Sequence, residues 1–564
     1  MDRTDILETT IWNLFEKGRS YHRQIGLFTD TDRNHRFYNG NQWEGVELGG
    51  IEPVQKNFIK PIVKYKCAVI HANLYAINFS SQNFESTAFQ MEAKGICEML
   101  NRYAARSWES QKMDTKLREI TKDAAIDDES VLYVDFNRET MLPICEVMDK
   151  GDVFYGNEND GDIQNQPYIL LRRRMPVVDA QDLALNFGVS AEEAAQIKGD
   201  NDVYESPGEA AKFEVDDQVT IVYKLYKQKG RVFFSIASRF VDIAKDKDLG
   251  IPLYPIAHYV WEKKKGSARG EGEVRQLIPN QLEVNRTEMR RILTVKQQAY
   301  PKMVAAKDKI ENVAAISAVG GVIYVTEKTV DDVRKVVGTV HPAQMSPDVK
   351  QLQDDLISMS RELAGAGDSA TGQIDPQSAS GRAILAVQQA SEAPMTEQKE
   401  TCKAFIEDYA NIILAYLIAY SKNGVNMEKV EQDPSTGEEI IRIVNVPQAV
   451  LKKLQASVNI DITPKTAYDK FAQEQTIENL LVKGYFHPDK INELEAYVES
   501  LDDDATAPKL KLKAIVKRIK ETQKRIAQIS AQGQQLYQRA SRFMSADLRS
   551  QAQQMAAAQV PRAG

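Results

Sequence analysis

One helical stripe late in the chain constrains the fold more than any other feature of the sequence. Its members recur at alternating steps of four and three residues: Cys402, Ile406, Tyr409, Ile413, Tyr416 and Tyr420. Since an α-helix turns once in about 3.6 residues, this spacing places them on one face. The pattern starts after Ser378 and Ser380, either of which can cap a first turn. The sequence therefore predicts a long helix over residues 380–422 with an apolar face that must be covered.

A proline and a polar loop modify this helix. Pro394 lies inside the pattern, and we expect a kink there because an interior proline removes a backbone hydrogen bond at a cost of about 3 kcal/mol. The preceding residues, 365–379, are mostly small and polar, which is typical of a loop. A kinked helix that follows a polar loop indicates a mechanical part and not a catalytic pocket.

The charge of the chain is unevenly distributed. Its 564 residues can bury several cores, so we expect about three to five domains or sub-domains. The net charge of −8 argues against a protein that coats nucleic acid with its whole surface. From Leu501 onward, however, there are 12 Lys and Arg but only 5 Asp and Glu. This basic end indicates either a surface turned toward a polyanion or a solvated, lysine-rich helix.

The sequence carries no recognisable catalytic or metal-binding motif. It contains no HExxH, CxxC, GxSxG, GxGxxG or P-loop pattern, and its histidines and cysteines are scattered. We therefore expect no enzyme, cofactor or metal site, and reduced thiols. The N-terminus lacks a signal-peptide pattern, and the apolar runs are shorter than the roughly 20 residues of a membrane helix, so we expect no membrane association.

The first 261 residues change from a helical to an alternating pattern. Helices are predicted over these ranges: 5–27, 57–75, 91–107 and 112–125. Asn39-Gly40 predicts a tight turn within the aromatic segment 37–43. From Ser130 to Trp261 a period of two predicts a mixed α/β block, with a hairpin turn at Lys229-Gly230 and one helix over 178–197. Its strands are predicted at these ranges: 131–134, 168–171, 219–226, 232–234 and 256–260.

Two arginine-containing segments of this part have more than one interpretation. The three arginines 172–174 end a predicted strand, where an exposed strand end is the expectation and an anion site the alternative. Residues 263–272 are basic and glycine-rich, which predicts a flexible loop. The loop is not a nucleotide-binding one, because the Gly-Lys-Ser/Thr ending that cradles phosphate is missing.

Two helices enclose a short separate unit over 300–345, which contains a predicted strand at 322–326. The first ends near residue 299 and carries an apolar stripe: Ile278, Leu282, Met289 and Leu293. Beside it lie Arg286 and Arg290, with Glu283 placed to pair with Arg286. These arginines predict either salt bridges to a neighbouring subunit or a basic lining. The second helix, over 346–364, has its own stripe: Leu352, Leu356, Met359 and Leu363.

The C-terminal part combines short strands with a long helix. Strands are predicted at 439–444 and 458–462, and a helix over 467–483. A further helix from Pro508 to about Ala557 has heptad-like apolar positions: Leu512, Ile515, Ile519, Ile526, Ile529, Leu536 and Phe543.

The order of these parts resembles the portal proteins of tailed bacteriophages, also called connector or head-to-tail joining proteins. Four short stretches between about residues 10 and 500 carry the resemblance. The aromatic–Gly–Gln-Trp segment 37–43 comes first, and Gly270-Glu-Gly272 with Leu277 to Gln281 and Asn285 is similar to the start of the family's first stem helix. Ser378–Ala383 resembles the Ser-Gly-x-Ala start of the long helix. Ile462–Thr466 resembles the return to the wing.

The resemblance implies an α+β, predominantly helical fold with wing, stem, clip and crown regions, assembling as a ring. The regions it implies are a wing at 1–262, a basic loop and first stem helix at 263–299, a clip at 300–345, a second stem helix at 346–364, a tunnel loop at 365–379, the long kinked helix at 380–422, a return to the wing at 423–500, and crown helices with the C-terminal tail at 501–564.

The resemblance also implies a function and partners. A homo-oligomeric ring, usually of twelve copies, would surround a channel at one capsid vertex, through which the terminase motor packages double-stranded DNA that is later ejected. Its partners would be the terminase large subunit, a head-completion or neck adaptor protein, and the major capsid and scaffolding proteins. Its location would be the virion, and the host cytoplasm during assembly.

Particular residues follow from the resemblance. Those of the tunnel loop that would face DNA are Asp368, Ser369, Thr371 and Gln373. Those that would form the basic face of the crown are Lys511, Lys517, Arg518, Lys524 and Arg525. Two alternatives stay open, a non-ring structural or scaffolding component of a capsid and a metal-dependent DNA-processing enzyme.

Overall fold

A computed structural model divides the chain into two compact units, residues 1–463 and 464–564. Each unit is described by itself. The residues that the structure describes are 9–48, 52–81, 87–200, 217–299, 302–305, 309–316, 322–326, 337–340, 345–366, 393–432, 439–454, 456–464, 490, 493–494, 497–498, 509–541, 550–551 and 553–555.

The first unit begins with helices that surround one strand. These elements are α1 (Thr10–Gln24), α2 (Leu27–Asn39), α3 (Ile59–His71), β1 (Asn73–Ser81), α4 (Thr87–Ser110) and α5 (Met113–Asp127). The helix predicted over 5–27 is therefore wrong at its C-terminal end, since Gly26 at φ +71° separates α1 from α2. The predicted turn at Asn39-Gly40 comes directly after α2, because Gly40 at φ +94° ends that helix. Phe37 lies in the last turn of α2 and not in a loop.

Two antiparallel sheets follow, as the alternating pattern predicts. The first has the strand order β3 (Leu142–Met148), β2 (Glu129–Asn137) and β9 (Ile256–Val260). The second has the order β4 (Val153–Tyr155), β5 (Tyr168–Pro176), β6 (Gln218–Gln228), β7 (Arg231–Ala237) and β8 (Asp242–Asp248). The hairpin at Lys229-Gly230 is confirmed, since Gln228 pairs with Arg231 and both turn residues have positive φ, as in a type I′ turn.

The single helix predicted over 178–197 is two helices, α6 (Val177–Asn186) and α7 (Ala191–Ala194). Gly188 at φ +90° separates them, and the hydroxyl of Ser190 caps α7 by accepting from the backbone N–H of Glu193. A glycine in the left-handed region ends a helix because other residues adopt that conformation only at a cost.

The three arginines 172–174 do not form an exposed strand end. Antiparallel pairing of β5 with β6 continues through them to Pro176, so their side chains stand on the sheet. The Arg172 side chain is 2% exposed. Each guanidinium contacts a carboxylate: Arg172 with Asp152, Arg173 with Glu146, and Arg174 with Asp200 at 3.2 Å. The three arginines therefore form ion pairs within the domain. These pairs offer no support for an anion site at 172–174.

The remaining elements of the first unit follow β9 in the chain. They are α8 (Glu273–Ala299), β10 (Lys302–Ala305), β11 (Val337–Val340), α9 (Asp348–Leu363), α10 (Thr396–Tyr420), β12 (Val425–Gln432), β13 (Glu439–Val446), α11 (Gln448–Leu454) and β14 (Ala456–Pro464). Three strand pairs form among them and β1: β1 with β14, β10 with β11, and β12 with β13. The strand predicted at 322–326 reduces to one antiparallel bridge between Val325 and Ile310.

Helix α10 lies at the centre of the main core, and its predicted apolar face is confirmed. All its stripe residues are buried except Tyr420, which is partly buried. Its Tyr416 ring stacks on Phe136 of β2 at 5.3 Å, and its Phe405 ring meets Tyr259 of β9 edge-on at 5.9 Å. Pro394 lies in a 3₁₀ turn, Ala393–Met395, directly before α10. The rest of the predicted kinked helix, 380–392, falls outside the described residues.

The second unit contains α12 (Lys509–Ser541), which agrees with the predicted long helix over the range described. The predicted helix at 467–483 lies outside the described residues.

Gly270 should tolerate no larger side chain. A Cβ there would lie 2.7 Å from the carbonyl oxygen of Glu262 and would overlap the side chain of Val260. Because backbone atoms cannot move aside cheaply, we expect Gly270→Ala to lower the free energy of unfolding by about 1–3 kcal/mol, measured by urea denaturation. Gly95→Ala, in the middle of α4 with open space around it, is the control and should raise stability by up to about 1 kcal/mol. A neutral Gly270→Ala would contradict the packing of this segment.

Candidate functional site

The first predicted stem helix, α8, is anchored at its N-terminal end by buried polar contacts. The backbone N–H of Gly272 donates to Oδ1 of Asp128 at 2.7 Å. The first residue of the helix, Glu273, forms a buried ion pair, with its Oε2 2.5 Å from Nζ of Lys66. Because buried charges are stable only when paired, these contacts hold the start of α8 in one position against α3 and α5.

Directly before this anchor, the side chain of Arg269 is only 11% exposed and is surrounded by acceptors. Its guanidinium donates to Glu129, to Glu158 at 3.0 Å, to Nε2 of His22 at 2.8 Å and to the carbonyl oxygen of Val153 at 3.0 Å. The prediction of a flexible basic loop over 263–272 is therefore wrong at Arg269, because partners far away in the sequence fix this side chain.

The titration of the neighbouring groups follows from this arrangement. Burial alone would raise the pKa of Glu129, but the charge of Arg269 and the hydrogen bond from His258 at 2.7 Å lower this pKa to about 2. Burial lowers the pKa of His22, so its neutral ring can accept from Arg269. The network therefore contains a permanent cation between two carboxylates.

Further along α8, a polar layer joins the helix to the segment after α2. Oε1 of Gln281 accepts from the backbone N–H of Phe58, and Oδ1 of Asn285 accepts from that of Lys56, both at 3.0 Å. The amide of Asn285 also donates to Gln42. Two of the sequence motifs, the aromatic–Gly–Gln-Trp segment and the start of α8, therefore meet in the structure.

Helix α9 packs on α8 through polar side chains. The buried amide of Gln353 donates to Oε2 of Glu288 and accepts from Arg291, both at 2.8 Å. One side-chain amide of α8, that of Asn280, donates to the hydroxyl of buried Ser360 at 3.0 Å. The α8–α9 contact thus satisfies its own polar groups inside one chain.

The predicted apolar stripe of α9 does not face this contact. Leu356 packs against the core, but Leu352, Met359 and Leu363 are 54%, 61% and 79% exposed. Most of the stripe is therefore not covered within a single chain. Gln353 and Ser360 occupy the buried face, which lies about 90° around the helix from the stripe. The "α9 apolar face", Leu352, Met359 and Leu363, is accordingly open on a single chain.

The charged residues predicted on α8 lie together on its outer side. Glu283 is 3.8 Å from Arg286 and 3.4 Å from Arg290, and all three side chains are more than two-fifths exposed. Exposed pairs of this kind contribute about 0–1 kcal/mol to folding. The prediction that Glu283 pairs with Arg286 is confirmed, and the cluster has little structural role within one chain.

In the second unit, α12 carries an apolar row that is also exposed: Ile515, Ile519, Ile526, Ile529 and Leu536. Lys517, Arg518 and Arg525 are exposed on the same helix, which also contains Lys511 and Lys524. The predicted tunnel-loop residues Asp368, Ser369, Thr371 and Gln373 lie outside the described residues.

Sequence reasoning did not identify two central residues of this region, Arg269 and Gln353. Small residues surround Arg269 on both sides, Ser267-Ala268 and Gly270, which could have indicated close packing. Gln353 gave no signal, because it lies next to an apolar stripe whose partner the sequence does not reveal.

The described part of the chain offers neither a membrane-spanning helix nor a metal cluster. No helix there combines the length and apolar character that crossing a membrane requires. Nor do the described residues bring three histidine, cysteine, aspartate or glutamate side chains together around a possible metal position.

The comparison with protein families decides how these surfaces are interpreted. The model of the family described as Phage P22-like portal protein matches residues 19–563, nearly the whole chain. The chain belongs to this portal protein family. No curated protein matches it. The portal family has a structural role in phage and is associated with the virion capsid, and the mixed helix-and-strand fold agrees with membership.

Loss of the Arg269 guanidinium should be strongly destabilising. Arg269→Met leaves Glu129 buried without its main counter-charge, so we expect a loss of about 3–5 kcal/mol at pH 7 in urea denaturation. Arg231→Met, which removes an exposed arginine paired with Asp248, is the matched control and should change stability by less than about 1 kcal/mol.

A comparison of wild type with Arg269→Met at two pH values tests whether the network is ionised. Since the pKa of Glu129 is lowered to about 2 from 4.5, its contribution is present above pH 4.5 and is lost as the pH falls toward 2. The stability difference between wild type and Arg269→Met should therefore narrow from pH 7 to pH 3. An equal difference at both pH values would contradict the ionised network.

Proposed function

We propose that this chain assembles with copies of itself into a ring around a central channel at one vertex of a phage capsid. DNA would be packaged through the channel by the terminase motor and later ejected, and neck proteins would attach to the ring. Membership of the portal family supports this role, and the α9 apolar face is the observation on this chain that carries it.

The α9 apolar face supports assembly because its exposure is not a consequence of weak local packing. The other side of α9 is well packed, with Gln353 and Ser360 fully buried. Apolar surface gains about 25 cal/mol per Å² when it leaves water, so covering three large side chains on every copy would favour association. A neighbouring copy can cover the same patch on each subunit in turn, which is the geometry of a closed ring.

In the proposed ring, each part of the chain would belong to one region of the assembly. Residues 1–262 and 423–500 would form the wing, α8 and α9 the stem, 300–345 the clip and 501–564 the crown. Arg286 and Arg290 would then exchange part of their contact with Glu283 for carboxylates of the neighbouring copy. Exposed, partly neutralised arginines are suited to this exchange, because little folding energy depends on their present pairs.

Passage of DNA requires weak contacts. The chain has a net charge of −8, which repels phosphate overall, and the proposed tunnel loop at 365–379 contains no Lys or Arg. Its Ser, Thr and Gln side chains would give a sliding contact and not a tight clamp. The basic balance after Leu501 would lie toward packed DNA.

Negative-stain electron microscopy with a parallel mass measurement tests the ring. We expect particles with a central hole and a mass many times 63.5 kDa. A monomer or dimer at all salt and protein concentrations would contradict self-assembly and would favour a non-ring capsid component.

Charges placed on the α9 apolar face should abolish the ring and leave the subunit folded. Leu352→Glu with Met359→Glu adds two carboxylates at positions that are open on one chain. We therefore expect wild-type circular dichroism and a nearly unchanged melting temperature, but at least a tenfold loss of rings, because a buried unpaired charge costs several kcal/mol. Gln351→Glu with Ser358→Glu adds the same charge on another exposed side of α9 and should still form rings. Equal loss in both variants would contradict a specific role of the apolar face.

Neutralisation of the α8 arginines gives an independent test. We expect Arg286→Ala with Arg290→Ala to fold normally and to lower ring yield, or the DNA retained by assembled particles, severalfold. Arg106→Ala with Arg231→Ala removes two exposed, ion-paired arginines elsewhere and is the control. Assembly and DNA retention equal to wild type in the α8 variant would contradict both proposed roles of these arginines.

A further inference from the structure

A cavity of about 760 Å³ opens among α2, α3 and α5, on the body of the first unit. Its lining residues are Tyr38, Asn39, Lys60, Val63, Lys64, Cys67, Ala68, His71, Ala72, Arg118 and Lys122. No carboxylate belongs to this lining. In a chain with a net charge of −8, a cavity lined by three lysines, one arginine and one histidine stands apart from the average surface.

The four permanent cations of this cavity, Lys60, Lys64, Arg118 and Lys122, are available to a ligand. Within the part of the chain that the structure describes, none of them forms an ion pair with a carboxylate. Lys64, Arg118 and Lys122 are exposed and Lys60 is partly exposed. Lys66, also on α3, is by contrast buried and paired with Glu273.

The positions of these cations form two rows. Lys60 and Lys64 are one helical turn apart on α3, and Arg118 and Lys122 are one turn apart on α5. Residues four apart on a helix are separated by about 6 Å along its axis and share a face. The cavity is therefore bounded by two rows of positive charge, which we call the "α3–α5 basic groove".

The titratable groups between the rows add no negative charge near neutral pH. Burial raises the pKa of the Cys67 thiol to about 12, and burial with nearby Cys67 raises that of the Tyr38 phenol. The neutral Tyr38 ring instead supports two ammonium groups, since Nζ of Lys60 and Nζ of Lys122 lie 5.4 and 5.7 Å from its centroid. The nearest acidic positions on α5, Glu119 and Asp123, lie outside the lining.

We propose that the α3–α5 basic groove binds the phosphodiester backbone of double-stranded DNA. Two facing rows of cations match a linear series of phosphates better than a single point ligand. Lysine-rich contacts of this kind bind backbone phosphate independently of base sequence. The groove offers only small or buried apolar side chains, Val63, Cys67 and Ala68, so it lacks the apolar pocket by which an acidic peptide would be anchored.

This site differs from the DNA contacts of the proposed channel. It involves no residue of the tunnel loop, of the outer side of α8 or of α12. DNA held at this groove would lie against the body of the subunit, so the protein would carry a second, salt-sensitive DNA contact that does not require passage through a ring.

The test uses the full-length protein and a fluorescein-labelled 20-base-pair duplex, with fluorescence anisotropy measured from 50 to 200 mM NaCl. Lys64→Gln with Lys122→Gln removes one cation from each row. We expect about a tenfold weaker binding at the lowest salt, and a log–log salt slope that falls by about 2, because two phosphate contacts are lost. Lys422→Gln with Lys452→Gln, an equal loss of charge at exposed lysines elsewhere, should bind nearly as wild type.

Three outcomes would overturn the proposal. One is equal weakening in both double variants, which would show a general charge effect, and another is unchanged binding in the groove variant. The third is a polyglutamate peptide that binds in a Lys64- and Lys122-dependent way while the duplex does not, which would assign the groove to an acidic protein partner.

A labelling measurement on the wild-type protein avoids dependence on the variants. Lysine acetylation by a soluble reagent, followed by mass spectrometry, should fall severalfold at Lys64 and Lys122 when the duplex is added, and not at Lys422 or Lys452. Unchanged labelling at Lys64 and Lys122 would also overturn the proposal. Electron microscopy of the same samples reports ring formation independently, so that a failure of DNA protection can be distinguished from a failure of assembly.

Discussion

The buried guanidinium of Arg269 is the interaction on which the rest of the first unit depends. It draws His22 of α1, Glu129 of β2 and Glu158 of the β4–β5 connection to one point. A charge without water is stable only if several acceptors surround it, so each of these segments must take one position. Gly270 and Gly272 follow in the space that remains, where no Cβ would fit. The direction in which α8 leaves the domain is set by these contacts.

Beyond this anchored start, α8 and α9 contact each other through polar side chains and leave apolar side chains exposed. The contact between them is polar, through Gln353, Ser360 and Asn280, while Leu352, Met359 and Leu363 face outward. Polar groups that are hydrogen-bonded within the chain gain little from a partner, whereas exposed apolar side chains are stabilised when a partner covers them. The helix pair therefore satisfies its polar groups on one chain and leaves an apolar surface exposed, as the proposed ring would require.

Three groups of cations in the described part of the first unit differ in their environments. Arg269, Lys66 and Lys150 are buried with carboxylates and determine the fold. Arg286 and Arg290 form exposed pairs with Glu283. The α3–α5 basic groove has no carboxylate in its lining. Because the strength of an ionic contact depends on how much water is removed from it, the same residue types can stabilise the fold in one place and, in the roles proposed above, take part in assembly or anion binding in another.

The sequence by itself determined what depends on neighbours along the chain. The 4-3 spacing in α10 established its buried face, and Lys229-Gly230 established a hairpin, because helix period and turn conformation are local properties. Membership of the portal family could likewise be predicted from short motifs in order. Only the tertiary structure decided which charges are interior and which apolar stripes are covered. Arg172 and Arg269 resemble surface residues in sequence, and the α9 stripe resembles a core face. Their true environments depend on partners that are not neighbours in the sequence, for Arg269 more than a hundred residues away, and no local pattern contains those partners.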